Sequence, residues 1–94
     1  MKRNNWNPQK NELLKQKRGI GFEDIVVAIL GNKILDIVQH PQKERSSQKY
    51  LIVEINDYAY VVPFVETEEE RFFKTIFPSR KYTKIYLSKQ NATK

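Results

Sequence analysis

Residues 49–65 read KYLIVEINDYAYVVPFV. Two β-rich runs, 49–55 and 58–65, flank Asn56-Asp57, and both connecting residues tolerate positive φ. That pattern predicts a tight two-residue hairpin. Pairing the runs across it puts Leu51, Val53 and Ile55 on one face with Tyr58, Tyr60, Val62 and Phe64. Tyr50, Ile52, Glu54, Ala59, Val61 and Pro63 take the other face. Pro63 lacks a ladder donor, which predicts a bulge or an edge position there.

Working outward, the N-terminal side reads as two helices that should cover the first face. Asn7-Pro8 starts one: Asn caps through its side-chain oxygen, and Pro fits the first helical position. It runs to Arg18 and stops at Gly19, with Leu13 and Leu14 facing inward. Trp6 sits just before the cap, where it can pack back onto the helix. Gly21 starts a second helix, over 22–30. Phe22, Ile25, Val26, Ile29 and Leu30 form its apolar stripe, Glu23 and Asp24 suit its positive end, and Gly31-Asn32 stops it. A short strand over 34–38 and a polar loop over 40–48 lead into the hairpin.

Beyond the hairpin, Thr67-Glu68-Glu69-Glu70 is an acidic turn and 71–77 a further strand. Ser79 caps a last helix over 80–88. Arg80, Lys84 and Lys81 span about 100° of its surface, with Tyr82, Ile85 and Tyr86 on the neighbouring arc. Residues 89–94 read as a frayed tail. The apolar residues of the second sheet face either stay open as a partner surface or lie under the C-terminal helix. The expected fold is α+β in one domain, 1–94. Two N-terminal helices pack on a three- to four-stranded, mainly antiparallel sheet, followed by a basic C-terminal helix.

Ninety-four residues suit one domain and are too few for a Rossmann or barrel enzyme. Cysteine is absent, which excludes disulfides, thiol chemistry and Cys-type zinc sites; one His speaks against a His-based metal centre. No run of ~18 apolar residues is present to span a membrane. No apolar stretch follows the basic Met1-Lys2-Arg3, so a secretory signal is not expected. These features predict a cytoplasmic protein without metal or cofactor.

The charge is unevenly placed. Seventeen Lys+Arg against eleven Asp+Glu give +6. Residues 1–18 carry six basic groups and one acid, and 71–94 carry seven and none. The middle, 19–70, carries four basic groups and ten acids. If the two ends pack side by side, they form one basic face suited to a polyanion. No Gly-rich phosphate loop occurs, and His40, the lone imidazole, reads as a loop residue. The remaining chemistry is cationic: Lys74, Arg80, Lys81 and Lys84, with Lys17, Arg18 and Arg45 as further candidates. RNA is cleaved without metal when its 2′-hydroxyl attacks the adjacent phosphorus. Arg offers a fixed fork to the phosphoryl oxygens, and Lys among like charges exchanges protons near neutral pH. Phosphate binding alone needs the same groups, so composition leaves nuclease and binder both open. Tyr82 and Tyr86 can stack bases, although their helical spacing equally suits packing.

Two stretches resemble a known family. Trp6-Asn7-Pro8-Gln9-Lys10 followed by Lys17-Arg18-Gly19-Ile20-Gly21-Phe22-Glu23-Asp24 is similar to the opening of the BrnT toxins, W-D-P-x-K then K-H-G-[VI]-S-F-E-E. The segment 74–81, with Lys84 and Tyr86, resembles their closing R-I-I-S-A-R-x-A and basic helix. The resemblance covers about 6–87. It implies a RelE-like fold and a toxin that cuts RNA and arrests translation. It also implies a cognate antitoxin carrying a ribbon–helix–helix domain, through which the pair contacts operator DNA. The resemblance carries over onto Lys17, Arg80 and, roughly, Glu44-Arg45. Together with the cationic set read above, Arg80, Lys84, Arg45 and Lys74 are the catalytic candidates, and Lys81, Lys17, Arg18 and Tyr82 the RNA-binding ones. Three positions depart from the pattern: Asn7 stands for Asp, Arg18 for His and Gly21 for Ser. Arg18 stays protonated and cannot serve as a general base. The alternatives are a non-catalytic RNA- or partner-binding module, or a toxin that poisons a protein target.

Overall fold

The computed structural model describes residues 3–39 and 48–87. Among them are three helices, α1 (Pro8–Arg18), α2 (Phe22–Leu30) and α3 (Arg80–Tyr86). Six strands, β1 (Arg3–Trp6), β2 (Ile34–Gln39), β3 (Gln48–Ile55), β4 (Tyr58–Glu66), β5 (Glu70–Phe73) and β6 (Phe77–Pro78), form one sheet. Its order is β1-β5-β4-β3-β2, with β6 also on β4. The α+β class stands. The sheet is larger than expected and mixed, because β1 runs parallel to β5. The tail 89–94 and nearly all of the 40–48 loop lie outside the described residues.

The hairpin has the expected register, Ile55 opposite Tyr58 through Gln48 opposite Val65. Asn56 and Asp57 both take positive φ, 55° and 64°, which matches the strand twist. Leu51, Val53, Val62 and Phe64 form the first core with Leu14, Phe22 and Ile25 of the two N-terminal helices. Ile52, Ala59 and Val61 form a second core on the other face, against Tyr82 and Tyr86 of α3. This face is therefore covered by the C-terminal helix.

The expected strand over 71–77 is interrupted. Phe64 pairs with Phe73 and Val61 with Phe77, three steps on β4 against four on its neighbour. That one-residue excess is a bulge. It lies opposite Pro63, whose carbonyl accepts from the Lys74 N–H at 2.8 Å. A strand residue presents its N–H and C=O to the same side, so the donor Pro63 lacks is missing where the ladder breaks. The bulge also lets Phe73 and Ile76 enter the first core while Phe77 joins the second.

Two capping arrangements set the helices. The Asn7 side chain accepts from the N–H groups of Gln9 and Lys10, and Gly19 closes α1 at φ 71°. Gly21 brings no side chain to α2, and Asn11 of α1 supplies one instead. The buried Asn11 Oδ1 accepts from the Phe22 N–H at 2.7 Å. Its Nδ2 donates to both Glu23 carboxylate oxygens at 3.0 and 2.9 Å. This contact is the main cause that holds the Glu23 carboxyl below the usual carboxylate range, with its own backbone hydrogen bond and Lys15 adding to it. A Cβ at position 21 would stand 2.7 Å from Asn11 Oδ1. Glycine here and Asn11 there are one device. Trp6 stacks on Phe22 and Phe73, at ring-centroid distances of 5.5 and 6.2 Å, so β1 is tied to α2 and β5.

Candidate nucleic-acid interface

α3 is the element that presents charge. Ser79 caps it by accepting from the Tyr82 N–H at 3.1 Å. Ala59 at the edge of β4 anchors it: its carbonyl accepts from the Ser79 N–H and its N–H donates to Thr83 Oγ1, both at 2.9 Å. The Thr83 hydroxyl in turn donates to the Ser79 carbonyl at 2.7 Å. At the other end the Tyr86 hydroxyl donates to the Asp36 carboxylate on β2. That hydrogen bond is the main cause that raises the Tyr86 phenol above its ordinary value of 10, followed by burial and by charge from Asp36 and Tyr82. Hydrogen bonds at both ends thus hold a helix of only seven residues on the sheet.

With its inner side fixed, α3 exposes Arg80, Lys81 and Lys84 to solvent. Tyr82 is half-buried, stacked on Tyr86 at 6.0 Å between ring centroids. The Lys81 ammonium lies 5.4 Å from the centre of the Tyr82 ring, within cation–π range. Both tyrosines are therefore packing residues of the second core, and Tyr82 also backs one of the cations.

The other candidates are spread out. Lys74 is exposed in the link between β5 and β6. Its backbone bonds to Pro63 while α3 is anchored at Ala59, about 13 Å away along β4 at the usual strand rise. Lys17 and Arg18 are exposed in the last turn of α1, which packs on the opposite face of the sheet from α3. Among the described residues, the cations of α1 and those of α3 therefore lie on opposite faces of the sheet. Arg71, counted in the C-terminal positive run, is paired with Glu66 at 3.5 Å, and Lys49 joins the same carboxylate at 3.3 Å. Arg45 lies outside the described residues, as does His40. Among the described residues, no three His, Cys, Asp or Glu side chains gather as a metal site.

Sequence reasoning missed Asp36 and Thr83, which orient the helix. Asp36 had a signal, being the one charged residue in the strand ILDIVQ. Thr83 had none apart from its i+4 spacing from Ser79. No described helix is long and apolar enough to cross a membrane. Compared with protein-family models, curated proteins and solved structures, the chain matches none.

Proposed function

We propose that this chain is the toxin of a bacterial type II toxin–antitoxin pair, a RelE-like domain acting in the cytoplasm as a metal-independent endoribonuclease. The observation that carries the reading is the exposed row Arg80, Lys81 and Lys84 on a helix hydrogen-bonded to the sheet at both ends. The motif resemblance at 6–24 and 74–86 agrees with it. The Arg80 fork holds the two non-bridging oxygens of the scissile phosphate as the adjacent 2′-oxygen attacks phosphorus. The 2′-hydroxyl proton leaves to a base, the 5′-oxygen departs with a proton, and a 2′,3′-cyclic phosphate remains. Lys84 and Lys81 add positive charge beside the phosphoryl group. Lys74, Lys17 and Arg18 contact more distant phosphates, and Arg45, outside the described residues, is kept from the sequence reading as a further cation for charge stabilisation. The antitoxin, through an acidic segment laid over Arg80 and Lys84, blocks this surface, and its ribbon–helix–helix domain takes the pair to operator DNA.

A second reading rests on one feature: α3, RKYTKIY, carries neither an imidazole nor a carboxylate. On that ground the helix is a phosphate-binding surface without proton transfer.

Incubation of the purified chain with total RNA in excess EDTA, beside Arg80→Ala, separates the two. Cleavage by the wild type, lost in a variant whose stability stays within about 0.5 kcal/mol, is the expected result. Intact RNA with salt-sensitive binding favours the binding module. Intact RNA with no binding overturns both.

A further inference from the structure

Of the five phenylalanines, Phe22, Phe64 and Phe73 lie in the first core and Phe77 packs against the second. Phe72 joins neither and is only half-buried. Val65 stands opposite it on β4, also half-buried and also outside both cores. Register fixes the face of this pair. Phe64 and Phe73 take the first face, so their neighbours Val65 and Phe72 take the second. That is the face which carries α3, and α3 covers only Ile52, Ala59 and Val61 of it.

Lys74 stands on the same face, between this pair and the helix. Its N–H donates to the Pro63 carbonyl at 2.8 Å, one step on from Phe73, so its side chain alternates away from the first core. It is exposed and forms no ion pair among the described residues. Along β4, Lys74 and Phe72 lie about 13 and 20 Å from Ala59, where the helix is anchored. Glu70, the acid beside Phe72 on this face, is met by Arg3 at 4.0 Å. A flat apolar surface therefore continues the cationic one. A duplex offers phosphates to such cations but keeps its base faces stacked inside. An unpaired strand offers both phosphates and open bases that stack on an aromatic ring.

We infer that an unpaired RNA strand held at α3 continues along this sheet face, with a phosphate on Lys74 and a base stacked on the Phe72 ring beside Val65. The inference rests on the reading of α3 as an RNA surface and adds what that surface selects, single strands over paired ones. Phe72 binds at a distance from the reacting phosphate.

Fluorescence anisotropy with a labelled 2′-O-methyl oligoribonucleotide, free and annealed to its complement, tests it on the full chain. Without a 2′-hydroxyl the strand cannot be cut, so binding is read apart from cleavage. The expected result is tighter binding of the free strand than of the duplex. Phe72→Leu keeps the apolar bulk and loses the flat ring; it weakens free-strand binding about tenfold and leaves the duplex unchanged, while Phe72→Tyr binds as the wild type does. Lys74→Ala lowers the log–log salt slope of free-strand binding by about 0.7. A wild type that binds both forms equally, or prefers the duplex, overturns the inference and leaves the α3 reading standing. So does a Phe72→Leu variant that binds the free strand unchanged or loses both forms alike. A wild type that binds neither form overturns the α3 reading together with the inference.

Discussion

On one face of the sheet, Leu51, Val53 and Val62 are fully buried beneath α1 and α2, together with Phe22 and Ile25 of α2. On the other, α3 covers Ile52, Ala59 and Val61 without fully burying any residue of its own. The first face is closed by volume, with three aromatic rings stacked at its centre. The second is closed by hydrogen bonds at the two ends of a short helix, Ser79 and Thr83 on Ala59, Tyr86 on Asp36. Volume packing tolerates little loss. End anchoring costs little buried area and frees the outer side of the helix for charge. The stacked core thus lies on one face and the end-anchored row Arg80, Lys81 and Lys84 on the other, while α1 carries Lys17 and Arg18 on the packed side.

The sharpest test compares equivalent truncations. Phe22→Ala removes a ring in contact with Trp6 and Phe73 and costs about 3–5 kcal/mol, much of the stability of a domain this size. Tyr82→Ala on the second face costs about 1–2 kcal/mol, because that ring is only half-buried. Urea titrations of the two variants measure both. Equal costs would show that the second face is packed as tightly as the first, and the contrast between the two would fail.

Next in size is the Asn11–Gly21 device within the first layer. Asn11→Ala removes three hydrogen bonds, one of them the cap of α2, and loses about 2 kcal/mol. Gly21→Ser alone also destabilises, since its Cβ meets Asn11 Oδ1 and the ends of the exposed Lys15 and Glu23 side chains, of which only the latter two can swing away. Combined, the two are less harmful than their sum. Ser at φ −115° caps the helix in the space that Asn11 vacates. A double-mutant cycle on thermal unfolding reads the coupling, and strict additivity would sink the idea.

The smallest effect concerns the α3 anchor. Tyr86→Phe costs about 1 kcal/mol at neutral pH by removing the bond to Asp36. Folding raises the Tyr86 phenol, so its contribution is complete below the unfolded value near 10 and fades as pH climbs through the higher folded value. The stability gap between wild type and Tyr86→Phe should accordingly be constant from neutral pH to about 9 and narrow above 10. A gap that stays constant at high pH would show that the phenol does not titrate with folding.

Much of this architecture is legible locally. Asn7-Pro8 and Gly19 bound α1, Asn56-Asp57 turn the hairpin, and Pro63 marks the bulge. Each works through backbone chemistry within a few residues. β1 was not legible: Arg3-Asn-Asn-Trp6 has no strand-like alternation, and it is a strand only because β5, at the other end of the chain, pairs with it in parallel. The split of 71–77 was signalled by Pro63 on the neighbouring strand, yet its consequence, Phe73 and Phe77 in different cores, depends on the one-residue excess across from it.

The same divide runs through the candidate interface. That Arg80, Lys81 and Lys84 share one side of a helix follows from helical spacing, and that Ser79 starts the helix follows from capping. That Lys17 and Arg18 belong to the opposite layer, that Tyr82 and Tyr86 are spent on packing, and that Arg71 is matched by Glu66 do not follow from spacing. Helix periodicity and caps act over one or two turns, so neighbouring residues settle them. The face of the sheet on which a segment lands is settled by strand pairing and core packing between segments far apart in the chain, and those exist only once it has folded.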